Sequence, residues 1–266
     1  MSPIDRKAQA REFLALHQNP PLLLPNAWDA GSAKAIESAG AKAIATTSAG
    51  VSWAAGLDDA GGLNRASALA ALRQIVAAVS VPVTADIESG YGDTPAEVAE
   101  TAAEVIDIGA VGINLEDSAS GALVDPGVQA ERIAAAREAA VGAGLDLCIN
   151  ARIDTYFFGD PAETASRAKL YTDAGADVLF VPGLLEPEAI RALVSEISLP
   201  LNLMVGPGAP TVAELVDLGV TRISLGPAIT SAAYALAAAA TTELLGPGTY
   251  RTLGTPTSSR QVHNER

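Results

Sequence analysis

The sequence predicts an α/β protein, a single (β/α)8 (TIM) barrel, and three observations predict it. Eight apolar runs of strand length stand at about 22–25, 42–47, 81–87, 111–116, 146–151, 177–181, 200–205 and 221–225, and a helical pattern follows each. A helix end, a glycine and a β-branched run recur as one phrase: SAGAKAIATTS from Ser38, IGAVGINLED from Ile108, AGADVLFVPG from Ala174 and LGVTRISLGP from Leu218. No composition break or linker interrupts the 266 residues, a length that suits one barrel.

Each recurring glycine stands where a helix C-cap belongs. Each run after it reads as a strand buried on both faces. Helical patterns cover 95–108, 127–142, 161–174 and 186–196, with Pro95 after Thr94 and Pro161 after Asp160 just inside two of the starts. Residues 228–245 form an alanine-rich helix, apolar nearly all round, carrying Ile229, Tyr234, Leu236, Leu244 and Leu245. A last barrel helix should keep one polar face, so a second protein surface is expected to cover this one. The barrel, with an N-terminal and a C-terminal helix, is assigned to 1–253. The polar, Ser/Thr-rich stretch 254–266 is expected to be a disordered tail. An open doubly wound sheet is the alternative architecture.

Composition narrows the function classes. Apolar residues are 49% of the chain, which excludes a disordered protein. A net charge of -14 argues against nucleic acid and anionic membranes as partners. Cys148 is the single cysteine, so no internal disulfide forms, which fits a reducing compartment. Asp5, Arg6, Lys7, Arg11 and Glu12 break up the N-terminal stretch, so no signal-peptide core is expected there. The alanine-rich run at 232–240 falls short of the ~18 apolar residues of a membrane span. A cytoplasmic protein is expected.

Barrel chemistry gathers at the C-terminal ends of the strands. Read there, the sequence offers Asn26, Trp28 and Asp29; Thr47, Ser48 and a loop with Asp58 and Asp59; Asp86 and Glu88; Asn114, Glu116 and Asp117; Asn150, Arg152 and Asp154; Asn202; and Ser224. Acids and amides dominate, and Arg152 is the lone strand-end cation. Asp86 and Glu88 lie two apart, hence on one face of a strand, before a glycine-rich loop. With Glu116 from the next strand they form a three-carboxylate group suited to Mg²⁺ (Mn²⁺ as the substitute) held partly through water. A solvated acid pair at a loop edge is the plain alternative for Asp86 and Glu88. Arg152 offers a planar fork for a substrate carboxylate, or an ion pair with Asp154 or Glu116.

Absences are equally informative. No lysine occurs from Ala43 through Ala168, and Lys169 falls within a helical pattern, which argues against a Schiff-base aldolase. His17 and His263 lie in terminal segments, so a histidine base or metal ligand is not expected. No GxGxxG follows a strand, leaving dinucleotide binding unsupported. Cys148 alternates with Asn150 and Arg152 and reads as a buried core thiol. A metal and an arginine without a strong base favour 2-oxo acid chemistry through a metal-stabilised enolate.

The motifs PNAWDAGSA at Pro25, TTSAGVSWAAGLDD at Thr46, TADIESGYGD at Thr84, GINLED at Gly112 and NARID at Asn150 resemble the isocitrate lyase/phosphoenolpyruvate mutase superfamily over roughly 10–250. The resemblance implies a Mg²⁺-dependent barrel acting on 2-oxo acids or their phosphonate relatives. It casts Thr47, Ser48 and Ala49 as the loop that holds the substrate carboxylate, and Asp59 as the second-loop aspartate. Asp86 becomes the direct metal ligand, with Glu88 and Glu116 acting through water. Arg152 becomes the substrate-binding arginine and Asn202 a strand-seven substrate contact. It also implies exchange of a C-terminal helix between subunits and a homotetramer, or a dimer as the smaller assembly.

The chain departs from the superfamily after Glu116. Lyases there carry a basic loop with Cys and His, and phosphonate mutases carry Lys and Asn. This chain reads DSASGALVDP from Asp117. Isocitrate cleavage lacks its cysteine acid, and phosphoryl migration lacks its cation. The leading expectation is therefore a Mg²⁺-dependent lyase or decarboxylase of a small 2-oxo dicarboxylic acid such as oxaloacetate. Asp59, Glu116 and Arg152 would be the catalytic residues. A phosphonopyruvate-type mutase or hydrolase, and a non-catalytic 2-oxo acid binding barrel, are the rivals.

Overall fold

The computed structural model describes residues 5–18, 21–59 and 62–254. The expected tail beyond Gly254, with His263, lies outside these residues. In chain order the elements are α1 (Arg6–Leu16), β1 (Leu22–Leu24), β2 (Asn26–Ala27), α2 (Ala30–Ser38), β3 (Ile44–Thr46), α3 (Ser48–Ala54), α4 (Arg65–Ala78), β4 (Val83–Asp86), α5 (Pro95–Ile108) and β5 (Gly112–Glu116). There follow β6 (Ser118–Ala119), β7 (Ala122–Leu123), α6 (Pro126–Ala143), β8 (Cys148–Arg152), α7 (Thr164–Asp173), β9 (Val178–Phe180), α8 (Pro187–Glu196), β10 (Leu201–Met204), α9 (Val212–Asp217), β11 (Arg222–Ser224) and α10 (Ala228–Leu245).

Nine parallel strand segments hydrogen-bond in the order β1-β11-β10-β9-β8-β5-β4-β3-β2. β1 and β2 are two halves of one first strand, interrupted at Pro25. Proline has no N–H to give a neighbour, while its carbonyl still accepts from Ala45 N at 3.1 Å. The sheet is thus a nearly closed (β/α)8 barrel with helices around it. Asn26 ties the seam: its Nδ2 donates to the Thr46 carbonyl and its Oδ1 accepts from Leu225 N, both at 2.9 Å.

The strands form where the apolar runs stand, since both faces of a parallel barrel strand are buried. Ile113, Leu115, Ile149, Leu179 and Leu203 pack outward under the helices, each fully or almost fully buried. The recurring glycines 40, 109, 175 and 219 adopt φ of +96°, +109°, +104° and +90°, the left-handed geometry that ends a helix cheaply only in glycine. Thr94 and Glu97 form a capping box ahead of Pro95 at the start of α5. The Pro161 start is a three-residue 3-10 turn rather than an α-helical turn, and Asp160 caps nothing. α1 plugs the N-terminal end of the barrel: Phe13 is fully buried, and a Cβ on Gly112 would come within 3.0 Å of its ring.

α10 is longer than the 232–240 run. It spans 18 residues with mean hydropathy 1.3, long and apolar enough to cross a membrane by length and composition. Thr230 is its one buried residue. Its first turn packs on α3, where a Cβ on Gly50 would lie 2.7 Å from Thr230 Oγ1 and 2.9 Å from Trp28 Cβ, so only glycine fits. Tyr234, Leu236, Leu244 and Leu245 are exposed further along.

Candidate active site

The residues singled out at the strand ends meet in a cavity of about 220 Å³ at the C-terminal mouth of the barrel. Its walls include Thr47, Ser48, Ala49, Asp59, Asp86 and Arg152. Glu88 and Glu116 stand behind this lining, and Asn202 does not reach it. Asn202 is fully buried one layer deeper on β10, and Met204 is the strand-seven residue at the cavity wall. Asn26, Asn114, Phe157, Phe180 and Ser224 line it too.

Asp86 ends β4 and is fixed by three hydrogen bonds. Its N–H donates to Thr46 Oγ1 at 2.8 Å, its Oδ2 accepts from Ser48 N at 2.9 Å, and its Oδ1 accepts from Glu88 N at 3.4 Å. The Ser48 N–H, an unsatisfied first-turn donor of α3, is thereby committed to Asp86. Gly50 N is taken by the Thr47 hydroxyl at 3.5 Å. Ala49 contributes the remaining first-turn N–H.

The loop after β4 is bent sharply. Glu88 and Tyr91 sit at φ of +50° and +53°, left-handed positions that are strained for residues with a side chain. The bend turns Glu88 inward, where it is buried and accepts from the Tyr91 hydroxyl at 3.0 Å. Burial, with Glu88 and Asp86 beside it, pushes the Tyr91 hydroxyl up, so it stays a donor.

Arg152 ends β8 and is clamped. Its Nη1 meets Glu116 Oε2 at 2.6 Å and its Nε meets Asp154 Oδ1 at 2.7 Å. Its guanidinium carbon lies 5.8 and 5.9 Å from the ring centroids of Phe157 and Phe180. Both sequence readings of Arg152 are thus compatible with its position: it is ion-paired and it faces the cavity. Burial pushes the Glu116 carboxyl up to about 8; Arg152 opposes this, and Asp86, Asp154 and Glu88 add to it.

The segment after Glu116, where the chain departs from the superfamily's loop, is a hairpin. Ser118 pairs Leu123 and Ala119 pairs Ala122, around a two-residue turn in which Ser120 and Gly121 have φ of +51° and +78°. Asp117 anchors it. Its Oδ1 accepts from Asp154 N at 2.8 Å, and its Oδ2 accepts from Tyr171 Oη at 2.8 Å and Arg167 Nη1 at 3.1 Å. Ser118 Oγ donates to Asp154 Oδ2 at 2.5 Å, so the hairpin braces the acid that braces Arg152. Ser118 thus has a structural partner that sequence reasoning did not supply. Cys148 is fully buried, as the sequence predicts, and burial pushes its thiol up to about 12.

Among the described residues, no three His, Cys, Asp or Glu side chains converge as a closed metal cage would require. The donor set suits the other mode. Mg²⁺ takes one or two carboxylates, keeps several waters and needs oxygen ligands only. Asp86 presents such an oxygen at the cavity wall, and acid charge exceeds the single Arg152 there. A hydrated divalent cation therefore fits these residues, and a thiolate or imidazole metal does not.

Comparison with known proteins agrees with this architecture. An uncharacterized protein of Mycobacterium tuberculosis is 40% identical over 228 residues, 84% of this chain and 85% of that protein. A solved phosphonomutase candidate of Burkholderia cenocepacia J2315 is 45% identical, with TM-score 0.85, over 89% of this chain and 99% of the other. Oxaloacetate acetylhydrolase in complex with its product oxalate is 26% identical, with TM-score 0.86, over 96% of this chain and 92% of the other. The phosphoenolpyruvate phosphomutase family model matches residues 13–245. The chain belongs to that family, within the isocitrate lyase/phosphoenolpyruvate mutase superfamily that its motifs resemble.

Proposed function

We propose that the protein is a divalent-cation-dependent enzyme that cleaves a carbon–carbon bond of a small 2-oxo dicarboxylic acid, with oxaloacetate the nearest candidate. One observation carries the reading. Asp86 and Arg152 line one cavity of about 220 Å³, below the ~300–1,000 Å³ of sites for drug-sized ligands.

In this reading Asp86 holds Mg²⁺ or Mn²⁺ directly, and Glu88 and Glu116 act on it through water. The bound metal supplies the electron sink for the 2-oxo carbonyl. Arg152, released in part from Glu116 or Asp154, takes a substrate carboxylate with its planar fork. The Ala49 N–H and the Thr47–Ser48 turn receive the other carboxylate. Asp59, exposed at the cavity rim, orders the mouth over bound substrate. Phe157 and Phe180 flank the Arg152 guanidinium and favour its charge. The similarity to oxaloacetate acetylhydrolase supports carbon–carbon cleavage.

The hairpin from Asp117 to Pro126 carries no Lys, Arg or His to meet a migrating phosphoryl group, which weighs against carbon–phosphorus chemistry. The apolar face of α10 is assigned to a second copy of the chain, in a homotetramer. A turnover screen of oxaloacetate, phosphonopyruvate and 2-methylisocitrate, with Mg²⁺ and with chelator, tests the reading. Mg²⁺-dependent loss of oxaloacetate is expected. Turnover of phosphonopyruvate alone would replace the reading, and binding without turnover of any would make this a binding barrel.

A further inference from the structure

Beneath the cavity floor lies a charge that the proposed chemistry does not use. Arg222, the first residue of β11, is fully buried inside the barrel. Among the described residues no carboxylate pairs with it, and the buried Cys148 thiol lies beside it. Its Nη2 donates to Asn114 Oδ1 at 3.3 Å, its Nη1 lies 3.4 Å from His17 Nε2, and its guanidinium carbon sits 5.8 Å from the Phe13 ring centroid. Its Nε has no oxygen or nitrogen partner among the described residues. Burial pulls its pKa down to about 10 and that of His17 down to about 4, so in the neutral range His17 is uncharged and Arg222 is charged.

A guanidinium only donates, so the Asn114 atom facing it must be the carbonyl oxygen. Asn150 Nδ2 donates to the same oxygen at 2.6 Å. With both lone pairs engaged, the Asn114 amide has one orientation, and its NH₂ group points away from Arg222. Asn114 lines the cavity, and its Nδ2 is not among the buried polar atoms without a partner.

We propose that Arg222 is a positioning residue that locks the Asn114 amide, so that Asn114 donates from the cavity floor to an acceptor oxygen of the substrate. The inference rests on the 2-oxo acid reading for the ligand class, while the lock itself does not. An ordinary asparagine can rotate to accept or donate. This one is held as a donor by a charge below it, which makes the floor select an acceptor oxygen over an ammonium group, which can only donate.

Thermal unfolding and oxalate titration in saturating Mg²⁺ test the two halves separately, on Asn114→Asp, Asn114→Leu, Arg222→Met and Arg222→Lys. Asn114→Asp keeps an acceptor for Arg222 and Asn150 and should hold or raise Tm, whereas Asn114→Leu strips Arg222 of its acceptor and should lower it. Both should weaken oxalate by about 10- to 100-fold, the loss of one hydrogen bond to a charged group. Arg222→Met should weaken oxalate without touching it, and Arg222→Lys should restore part of the loss. Equal loss of Tm in the two Asn114 variants would overturn the lock. Unchanged oxalate affinity in Asn114→Leu would overturn the donor role. Failure of the wild type to bind oxalate would overturn the 2-oxo acid reading and the ligand half with it, and the Tm comparison would still decide the lock. Should Arg222→Met fail to fold, the Asn114 pair decides alone.

Discussion

Replacing Arg152 by lysine keeps the charge and removes the fork. In the resting protein the guanidinium reaches Glu116 at 2.6 Å and Asp154 at 2.7 Å through two different nitrogens. An ammonium is a compact point charge and reaches one of them in good geometry. One charge-assisted hydrogen bond is lost, about 1.5–3 kcal/mol. The side chain is 19% exposed, so solvent screens little of that. At ~2–4 °C per kcal/mol for a chain of this size, Tm should fall by about 3–12 °C. If the same fork holds the substrate carboxylate, kcat/KM should fall by about 10- to 150-fold, at ~1.4 kcal/mol per factor of ten. Arg152→Met should do worse, about 3–5 kcal/mol, because Glu116 and the buried Asp154 both lose the guanidinium and only the Ser118 hydroxyl remains on Asp154. Differential scanning fluorimetry and Mg²⁺-supplemented steady-state kinetics on oxaloacetate read the two effects independently. A lysine variant with wild-type Tm and wild-type kcat/KM would show that the guanidinium fork does neither job.

Other parts of the site give further expectations. Glu116 has its pKa raised from 4.5 to about 8, so its contribution to stability is fully present below pH 4.5 and is lost as pH rises through about 8. Tm of the metal-free protein should decline over that window, Glu116→Gln should flatten the decline, and a Glu116→Gln profile identical to wild type would count against it. Asp117→Ala should lower stability by about 1–3 kcal/mol, because the buried Asp154 N–H and Tyr171 hydroxyl lose their acceptor while Arg167 keeps Glu163 at 2.9 Å; the urea midpoint at unchanged m reads this. Light scattering at micromolar concentration should find a tetramer, and truncation before Ala228 should dissociate or precipitate the protein. A fully active monomer would defeat the assignment of α10 to a subunit interface.

The barrel was readable because its strands must be apolar on both faces and its helices must stop in glycine. Those two demands mark the sequence locally, at Ile44, Val83, Ile149 and Ile223 and at glycines 40, 109, 175 and 219. Asp86 and Arg152 were readable for a related reason: strand ends are where a barrel tolerates charge. What escaped depends on partners far apart in the chain. Asp117 takes its role from Arg167 and Tyr171, 50 and 54 residues away. Two-residue strands such as β6 and β7 have no period to detect, and a Ser-Gly turn signals a hairpin less clearly than Asn-Gly. Asn202 shows the limit of naming a strand end by sequence: a shift of one layer buries it and brings Met204 to the cavity. Arg222 interrupts an apolar run, and only the closed barrel reveals that its charge lies under the site.

The most direct test of the central claim compares wild type with Asp86→Ala on oxaloacetate, with Mg²⁺ titrated from chelator to saturation and the products identified. Carbon–carbon cleavage should rise with Mg²⁺ in the wild type and nearly vanish in Asp86→Ala, with both proteins folded by circular dichroism. Cleavage by Asp86→Ala at the wild-type rate and with the wild-type Mg²⁺ dependence would contradict a metal site at Asp86.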